Sequence, residues 1–261
     1  MAPFLSIVIP AYNEERRLPT TLEQIAAFAA EQPFEIELLI VDDGSSDATA
    51  AQAEAFAATH PHVVVLHNDH RGKGYAVRSG VLAAQGRYVL FTDADLAVPM
   101  SEWQKFQPLL EAGYDVVIGS REGLGARRIG EPRHRHLMGR AFNMLVRAIA
   151  LRGIQDTQCG FKAFRREAGR CIFKRVQLYG DAARPVQGAA VTAFDVEVLF
   201  LARKLGYRIA EVPVLWRYGS ETKVDPLRDS WRNFSDVVRV RWNDLRGLYA
   251  GVPVAGNTPG K

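Results

Sequence analysis

Short apolar runs alternate with longer segments of helical periodicity along the first 120 residues of the chain. The apolar runs have the length of strands, and in the segments between them apolar residues recur every three or four positions. This alternation predicts βαβ units, and hence an α/β fold with a mostly parallel central sheet flanked by helices. The predicted strands are Leu5–Ile9, Glu37–Val41, Val63–Leu66, Tyr88–Thr92 and Asp115–Gly119.

Three helices are predicted between these strands. The first is expected to begin at a capping box formed by Thr20 and Glu23. The second is rich in alanine, with Ser45 or Ser46 as the residue that caps its N-terminus. The third is predicted to span Lys73–Ala84 and to follow a glycine-containing turn.

The second half of the chain is less regular. Its predicted elements are an amphipathic helix at Arg135–Leu151, a strand at Phe161–Phe164, a helix at Asp195–Leu205 and a strand at Tyr207–Leu215. In the last helix, apolar residues are spaced by 4, 3, 4, 4 and 3 positions with arginines between them, which is typical of an amphipathic helix. These apolar residues are Leu227, Trp231, Phe234, Val238, Trp242 and Leu245. Residues 251–261 have the composition of a flexible tail.

Hydrophobic residues make up 48% of the 261 residues and charged residues 24%, so the chain can bury a substantial core. The net charge of +4 is too small for a protein that coats nucleic acid, and we expect no nucleic-acid partner. Of the 33 basic residues, 26 are arginines, whose planar guanidinium groups suit phosphate and carboxylate groups. The composition therefore favours local phosphate-binding sites.

The chain contains no stretch of about 18 apolar residues, so no helix is predicted to span a bilayer. Its first ten residues lack the basic and apolar regions of a signal peptide. Two cysteines, Cys159 and Cys171, are too few for a disulfide framework or a zinc site, and we expect reduced thiols. These features together predict a cytoplasmic protein.

The most informative polar residues follow the fourth predicted strand, in the sequence Thr92-Asp93-Ala94-Asp95. Two carboxylates spaced two positions apart can share a divalent cation with a diphosphate, a mixed oxygen coordination that suits Mg²⁺ and Mn²⁺. An Asp-x-Asp tripeptide is also common in surface turns. Its position directly after an apolar strand favours the metal site, because open α/β sheets bind ligands at their carboxyl edge.

A second polar segment, Pro10–Glu14, follows the first strand. Pro10 is expected to end the strand, because proline cannot donate a hydrogen bond to a neighbouring strand. Tyr12 offers a flat face to a base, and Glu14 can accept hydrogen bonds from a base or a ribose. The alternative, a loop that leads into a helix with Glu14 in its first turn, remains open.

Two more loops are candidates for ligand contact. Asp42 and Asp43 end the second strand, where a carboxylate can accept the imino N–H of uracil or guanine. A turn containing Gly44 is the alternative, but a turn does not require two adjacent acids. Further along, Arg71-Gly72-Lys73 opens a helix, and its Lys73 and backbone N–H groups can hold a phosphate. That loop lacks the spacing of a P-loop, and an ordinary turn remains open there too.

The motifs P-A-Y-N-E, V-D-D-G-S-S-D, G-K-G, T-D-A-D and G-S-R, in this order, resemble family 2 glycosyltransferases, which have the Rossmann-like GT-A fold. In the second half, Asp156–Phe164 and the segment from Phe194 to Val214 resemble polyprenyl-phosphate glycosyltransferases, most closely the branch that glucosylates dolichyl phosphate. The resemblance covers residues 4–249. It implies one catalytic domain over residues 1–250, with a nucleotide-sugar-binding half (1–120) and an acceptor-binding half (121–250).

The resemblance also implies a role for each matching residue. Asp93 and Asp95 are expected to hold the metal and the donor diphosphate, while Arg121 and Arg135 are expected to neutralise the acceptor phosphate. All four are expected to be catalytic, and Arg140 is expected to join the acceptor site. The remaining residues expected to bind the nucleotide sugar are Pro10, Tyr12, Glu14, Val41, Asp43, Lys73, Ala94, Arg217 and Lys223.

The implied reaction is an inverting transfer of a hexose, by this resemblance glucose from UDP-glucose, to dolichyl or undecaprenyl phosphate with Mg²⁺ or Mn²⁺ as cofactor. An acceptor phosphate is ionised at pH 7, so the site needs positive charge rather than a strong base. Related mannosyl enzymes carry Gln where this chain has Ala97, which weighs against GDP-mannose. GDP-mannose, another acceptor and a non-catalytic nucleotide-sugar-binding module remain alternatives, although the intact Asp93 and Asp95 argue against the last.

A lipid acceptor implies contact with a membrane surface. The Arg135–Leu151 helix and the helix over residues 227–245 both combine apolar residues with arginines, as interfacial helices do. Either helix can instead pack its apolar face on the core. We expect a peripheral enzyme at the inner, cytoplasmic face of the membrane. Asp156 and Gln158 have two open roles, lining the sugar site or bracing the turn before Phe161.

Overall fold

The structure, a computed structural model, describes residues 2–132, 140, 144, 146, 149–151, 153–186, 193–219 and 226–250, with side chains of the last segment from residue 232 onwards. Several predictions lie outside these residues. They concern Arg135, Lys223, the tail at 251–261 and most of the predicted helix at Arg135–Leu151.

The described residues contain nine strands and seven α-helices in an alternating order typical of α/β proteins. The strands are β1 Leu5–Ala11, β2 Ile36–Asp42, β3 Val63–His67, β4 Tyr88–Thr92, β5 Val116–Ser120, β6 Arg127–Ile129, β7 Phe161–Arg165, β8 Ile209–Pro213 and β9 Leu215–Arg217. The helices are α1 Leu18–Ala30, α2 Thr49–Thr59, α3 Lys73–Ala83, α4 Trp103–Glu111, α5 Arg166–Phe173, α6 Phe194–Lys204 and α7 Pro226–Leu245. A short 3₁₀ helix, Met100–Glu102, precedes α4.

Seven of these strands form the central sheet in the order β3-β2-β1-β4-β7-β5-β8. Neighbouring strands are parallel except that β7 runs antiparallel to both β4 and β5. A small second sheet pairs β6 with β9. The mostly parallel α/β sheet predicted from the sequence is therefore confirmed, and β7 is the strand that departs from it.

Apolar cores cover both faces of the central sheet, as expected for parallel strands, which are apolar on both sides. Successive residues of β1 illustrate this, because Val8 packs into one core while Ile7 and Ile9 pack into the other. The first core includes residues of α3, α5, α6 and α7, and the second includes residues of α1, α2 and α4. No described helix is both long enough and apolar enough to cross a membrane.

Two predicted helix starts are wrong. α1 begins at Leu18, so Thr20 lies inside the helix and its predicted capping box does not form. α2 begins at Thr49, and its first N–H group is bound by the Asp47 side chain instead of a serine. Ser45 is not available as a cap, because its hydroxyl accepts a hydrogen bond from the N–H of Asn13.

Three further details differ from the sequence prediction. β1 continues past Pro10, which pairs with Val41 and needs no donor on that side of the strand. The predicted strand Tyr207–Leu215 is divided into β8 and β9, which belong to different sheets. The helix α4 was not predicted, and Pro108 inside it interrupts the pattern that sequence reasoning relies on.

The last helix, α7, has an apolar stripe that only partly faces the core. Its described buried residues are Asn233, Asp236, Val237 and Val240. By contrast, Val238, Trp242 and Leu245 are 43%, 60% and 75% exposed. Two roles were left open for this stripe, packing on the core and contact with a membrane surface, and its C-terminal half does not pack on the core but faces outward.

Candidate active site

Three parallel strands bring the predicted donor-site residues to one edge of the sheet. β2, β1 and β4 are neighbours in that order, with Ala11 beside Asp42 and Val8 beside Phe91. The segments after these strands therefore meet at the carboxyl edge, where open α/β sheets bind ligands. The fourth predicted loop, residues 70–73, contacts the segments after β2 and β4, as its hydrogen bonds and ion pair show.

The loop after β1 is joined to the loop after β2 by hydrogen bonds between backbone N–H groups and side-chain oxygens. Asn13, in the left-handed region with φ of 53°, accepts a hydrogen bond at its Oδ1 from the N–H of Ser46 at 2.8 Å. The N–H of Glu14 donates to the Thr49 hydroxyl at 2.7 Å, and the N–H of Asn13 donates to Ser45. Ser45 and Thr49, which follow β2, therefore fix the backbone that carries Tyr12 and Glu14.

Tyr12 and Asp43 both contact His70. The Tyr12 and His70 rings stack with centroids 3.7 Å apart and planes 3° from parallel. The Asp43 carboxylate accepts from His70 Nδ1 and Gly72 N at 2.8 Å and from Arg71 N at 3.1 Å. Burial raises the pKa of Asp43, and these hydrogen bonds offset only part of that effect. His70 thus covers one face of the Tyr12 ring, and the Asp43 carboxylate accepts hydrogen bonds from the loop at residues 70–72. The predicted contact of both residues with a base stays a prediction.

Lys73, the first residue of α3, pairs with the first acid of the Asp-x-Asp motif. Its Nζ lies 2.6 Å from Asp93 Oδ1, an atom that has no hydrogen bond of good geometry among the described residues. Burial lowers the pKa of Lys73, but the carboxylates of Asp93, Asp195 and Asp95 together raise it above its ordinary value. Lys73 therefore remains charged at neutral pH, beside the place predicted for a diphosphate.

Asp95 is exposed, and its carboxylate accepts the N–H of Ala97 at 3.0 Å. Desolvation and the charge of Asp93 raise the pKa of Asp95, whereas this hydrogen bond and the charge of Lys73 lower it. The charge of Asp93 thus destabilises the charged form of Asp95, and a cation between the two carboxylates would relieve that repulsion. No group of three or more His, Cys, Asp or Glu side chains that could hold a metal occurs in the described part of the chain.

The start of β7 sets the position of Asp93. Phe161 pairs with Thr92 in the antiparallel register, which places Gly160 beside Asp93. A Cβ atom on Gly160 would lie 2.1 Å from Asp93 Oδ2, closer than any two such atoms can approach. Any side chain at residue 160 would therefore force the Asp93 carboxyl group to move, and this close approach explains part of the Asp156–Lys162 string that carries the family resemblance.

Arg121 is held in a buried ion pair. Its Nε and Nη2 donate to the two Asp156 oxygens at 2.7 and 2.9 Å, and its backbone N–H donates at 2.9 Å. Burial opposes both charges, yet the partner's charge outweighs it, so the pKa of Asp156 lies well below and that of Arg121 above the ordinary value. Asp156 also accepts the N–H of Gln158, so it braces the turn before Phe161, which is one of the two roles left open for it.

A second buried pair lies beneath Lys73. Lys162, fully buried on β7, donates to Asp195 Oδ1 at 2.6 Å and to the Cys159 carbonyl at 2.5 Å. Burial raises the pKa of Asp195, against the lowering effect of Lys162 and Lys73. Sequence reasoning missed this pair as a support for the site. The available signal was a lysine between the apolar residues of a strand, which needs an acidic partner when buried.

The other predicted site residues have fewer described contacts with the Asp93–Asp95 pair. Arg217 is exposed, but its backbone N–H donates to the Ala97 carbonyl at 2.8 Å, so β9 borders the Asp-x-Asp loop. Arg140 is also exposed. Pro10, Val41 and Ala94 contribute to the strands and loop that form the edge, and Cys159 and Cys171 are free thiols as predicted.

The chain matches one family model and named relatives over most of its length. The family model described as glycosyl transferase family 2 matches residues 6–173. The chain is 35% identical to a dolichyl-phosphate β-glucosyltransferase of Dictyostelium discoideum, over 94% of this chain and 76% of that protein. It is 37% identical to a protein of the same name from Drosophila melanogaster, over 91% of this chain and 74% of that one.

Solved structures of similar fold carry divalent metals. Glucosyl-3-phosphoglycerate synthase of Mycobacterium tuberculosis, in complex with Mn²⁺, UDP and glucosyl-3-phosphoglycerate, has a TM-score of 0.59 and 22% identity, over 97% of this chain and 82% of that one. The same enzyme with Mg²⁺ and UDP has a TM-score of 0.60 and 20% identity, over 91% and 79%. The chain belongs to glycosyl transferase family 2, together with the dolichyl-phosphate β-glucosyltransferases, and has the GT-A fold of these enzymes.

Proposed function

We propose that this glycosyltransferase transfers glucose from UDP-glucose to a polyprenyl phosphate at a membrane surface, with inversion at the anomeric carbon. The observation that carries the proposal is the open pair of carboxylates, Asp93 and Asp95, at the carboxyl edge of the sheet beside Lys73. The names of its relatives at 35% and 37% identity support glucose as the sugar and dolichyl phosphate as the type of acceptor.

The donor diphosphate is proposed to bind between Lys73 and Arg217. Lys73 Nζ lies 2.6 Å from Asp93 Oδ1. Arg217 belongs to β9, whose backbone hydrogen-bonds to Ala97 in the loop that carries Asp93 and Asp95. Both cations can reduce the negative charge of a bound nucleoside diphosphate. Tyr12 and Glu14 are proposed to contact the base and ribose from the rim of the site, where both side chains are half-buried.

Asp93 and Asp95 are proposed to hold Mg²⁺ or Mn²⁺. The residues fit such an ion, because two close carboxylates, one with a raised pKa, gain from a positive charge between them. With two acids alone, phosphate oxygens of the donor would complete the coordination, which suits Mg²⁺ better than a cage made by protein groups. When bound, the ion would stabilise the charge that develops on the departing diphosphate.

The acceptor phosphate is proposed to approach from the side of Arg135 and Arg140. Its ionised oxygen attacks the anomeric carbon, the bond to the diphosphate breaks, and no strong base is needed. Arg121 was predicted to share this task, and that role stays a prediction. In this structure two of its side-chain N–H groups are engaged by Asp156, so any effect on the acceptor would come chiefly through its charge.

Membrane contact is proposed for the outward stripe of α7, formed by Val238, Trp242 and Leu245. These side chains are exposed, and Arg239 and Arg246 beside them are exposed as well. An apolar stripe bordered by arginines suits the surface of an anionic bilayer. A peripheral location at the inner face of the membrane is proposed on this ground, together with the lipid nature of the acceptor.

A donor screen tests the proposed sugar and nucleotide. The shift of the melting temperature is measured with UDP-glucose, UDP-GlcNAc, UDP-galactose and GDP-mannose, each with Mg²⁺ or Mn²⁺. We expect the largest shift with UDP-glucose, and a smaller one without metal. A larger shift with GDP-mannose would reject the proposed donor and favour the mannosyl alternative, for which a GDP-mannose-bound structure of similar fold is known at 20% identity and a TM-score of 0.55.

Two assays test the acceptor and the membrane. Transfer from UDP-glucose is compared for a short polyprenyl phosphate and for 3-phosphoglycerate, and glucosylation of the soluble acceptor alone would overturn the lipid assignment. In a flotation assay with anionic vesicles, a Trp242→Gln/Leu245→Gln variant should bind less than wild type. Leu124→Gln is the control, because Leu124 is fully exposed and belongs to the loop between β5 and β6, not to α7. Equal flotation of all three proteins would reject α7 as the contact.

A further inference from the structure

A cavity of about 220 Å³ lies on one face of α7, against the segment that follows α5. Arg232, Asp236 and Arg239 line it from α7, at the spacing that places residues on the same side of a helix. Arg184 and Tyr179 line it from the segment after α5, and Arg71 from the loop before α3. None of these residues belongs to the Asp93–Asp95 site or has been assigned to the donor or acceptor.

The single acidic group of this cavity is already satisfied within the protein. Asp236 is 2% exposed, and its Oδ2 accepts from the Tyr179 hydroxyl at 2.7 Å and from Ala193 N at 3.3 Å. Arg239 Nη1 lies 3.8 Å from its other oxygen. The carboxylate therefore fixes the cavity wall and neutralises at most one of the four surrounding arginines.

The arginines themselves are only weakly paired. Arg71 contacts Asp69 at 3.3 Å, but Asp69 is 77% exposed, and such surface pairs contribute little. Arg184 and Arg232 have no carboxylate within ion-pair distance in the described part of the chain. The nearby Asp181 carboxylate is bound by Arg78 at 2.8 Å. The cavity thus concentrates positive charge that the protein neutralises only in part.

We propose that this cavity binds a phosphate group, carried either by a small soluble phosphate ester or by a phospholipid headgroup. Guanidinium groups donate paired N–H bonds that match phosphate oxygens, and several of them around one concavity favour an anion with two negative charges. Arg239 is one turn from the exposed Trp242 on α7, so the cavity is close to the stripe proposed to meet a bilayer. The proposal does not depend on the donor or acceptor of the transfer reaction.

The test compares wild type with an Arg184→Gln/Arg232→Gln variant and a control variant with the same loss of charge. Arg87→Gln/Arg170→Gln is that control, because both arginines are exposed and lie outside the cavity. Calorimetry measures binding of glycerol 3-phosphate to the full chain without metal. Flotation measures binding to phosphatidylcholine vesicles with and without phosphatidic acid. Melting temperatures verify that each variant is folded.

We expect the cavity variant to bind at least one of these phosphates about tenfold more weakly than wild type, while the control binds as wild type does. Loss in calorimetry would identify a soluble ester, and loss confined to phosphatidic-acid vesicles would identify a lipid headgroup. Binding that is absent in wild type, or that falls equally in both variants, would overturn the proposal. Failure of glucose transfer would leave this outcome unaffected, since no assay here uses the donor.

Discussion

Two acidic sites lie at the same end of the sheet and are built in opposite ways. Asp156 is completely buried, and its carboxylate accepts N–H groups from Arg121 and Gln158. Asp93 keeps 32% of its side chain exposed and pairs with Lys73, while Asp95 beside it is exposed. The pKa of Asp156 is lowered, whereas that of Asp95 is raised by desolvation and by the charge of Asp93.

This difference separates a structural acid from one available for chemistry. A carboxylate whose hydrogen bonds and charge are satisfied internally has little to offer a ligand, and its removal leaves the partner charge buried. Two exposed carboxylates that repel each other gain from an added cation. The string that most strongly marks the family, Asp156–Lys162, accordingly supports the site through Asp156, Gly160 and Lys162, while Asp93 and Asp95 are left to meet the ligand.

The largest effect is expected from Asp156→Asn, which would leave Arg121, whose side chain is only 19% exposed, without its counter-charge. Breaking a buried pair on one side costs about 3–5 kcal/mol of the free energy of unfolding. Urea unfolding measures this loss. Glu167→Gln is the matched control, because Glu167 is 81% exposed in its pair with Arg166 and should cost less than about 1 kcal/mol. A loss for Asp156→Asn as small as that of the control would contradict the structural role.

Asp95→Asn is expected to impair turnover while leaving the free energy of unfolding almost unchanged, in contrast to Asp156→Asn. Loss of a group that stabilises developing charge typically costs about 100-fold or more in turnover, so transfer from UDP-glucose should almost vanish. The free energy of unfolding should stay unchanged or rise slightly, because repulsion with Asp93 is removed. Turnover and urea unfolding are measured on the same preparation, with Glu23→Gln on the exposed side of α1 as control. Near-normal turnover would reject Asp95 as a metal ligand.

Gly160→Ala tests the contact that joins the two sites. The added Cβ would overlap Asp93 Oδ2, so Asp93 has to move, and overpacking of this kind costs about 1–3 kcal/mol. We expect turnover to fall about tenfold or more, with a weaker response to added Mg²⁺, since a small displacement of a catalytic group is costly. In the control, Gly219→Ala, the new Cβ would be 3.9 Å from Asp95 Oδ2, an ordinary contact. Similar kinetics for the two variants would refute the role of Gly160.

The parts of this fold that local periodicity determines could be predicted from the sequence. Strands buried on both faces read as continuous apolar runs, and the polar residues at their ends, such as Asp93 and Asp43, mark the carboxyl edge. The structure accordingly has a mostly parallel sheet with these residues at one edge. Helix starts were predicted less well, because Ser45 binds the loop after β1 instead of capping α2.

Contacts between distant residues could not be predicted in the same way. Lys162 and Asp195 are 33 positions apart, and Arg121 and Asp156 are 35 apart, so no local pattern links either pair. The family resemblance placed Arg121 at the acceptor phosphate, but an arginine is equally suited to a phosphate or to a carboxylate of the protein. The antiparallel insertion of β7 brings Asp156 and Gly160 to the site and gives Arg121 a carboxylate partner, while its predicted role at the acceptor phosphate stays a prediction.

Glu197 is a buried acid that has no basic partner among the residues that the structure describes. It is fully buried and accepts from the Tyr249 hydroxyl and from the N–H groups of Gln177 and Leu178. Burial raises its pKa to about 7, against the lowering effect of these donors. The folded protein therefore holds a proton that the unfolded chain has released above its ordinary pKa of 4.5.

Stability should accordingly be greatest below pH 4.5 as far as Glu197 is concerned, and should be lost as pH rises towards 7, by on the order of 1 kcal/mol per pH unit. The measurement is urea unfolding at several pH values between 5 and 8 for wild type and Glu197→Gln. Glutamine cannot ionise, so the variant should show a flatter profile and should gain stability relative to wild type as the pH rises from about 4.5 to 7, with a constant difference above that. Parallel profiles for the two proteins would mean that Glu197 ionises normally and that neutral donors suffice to hold a buried carboxylate.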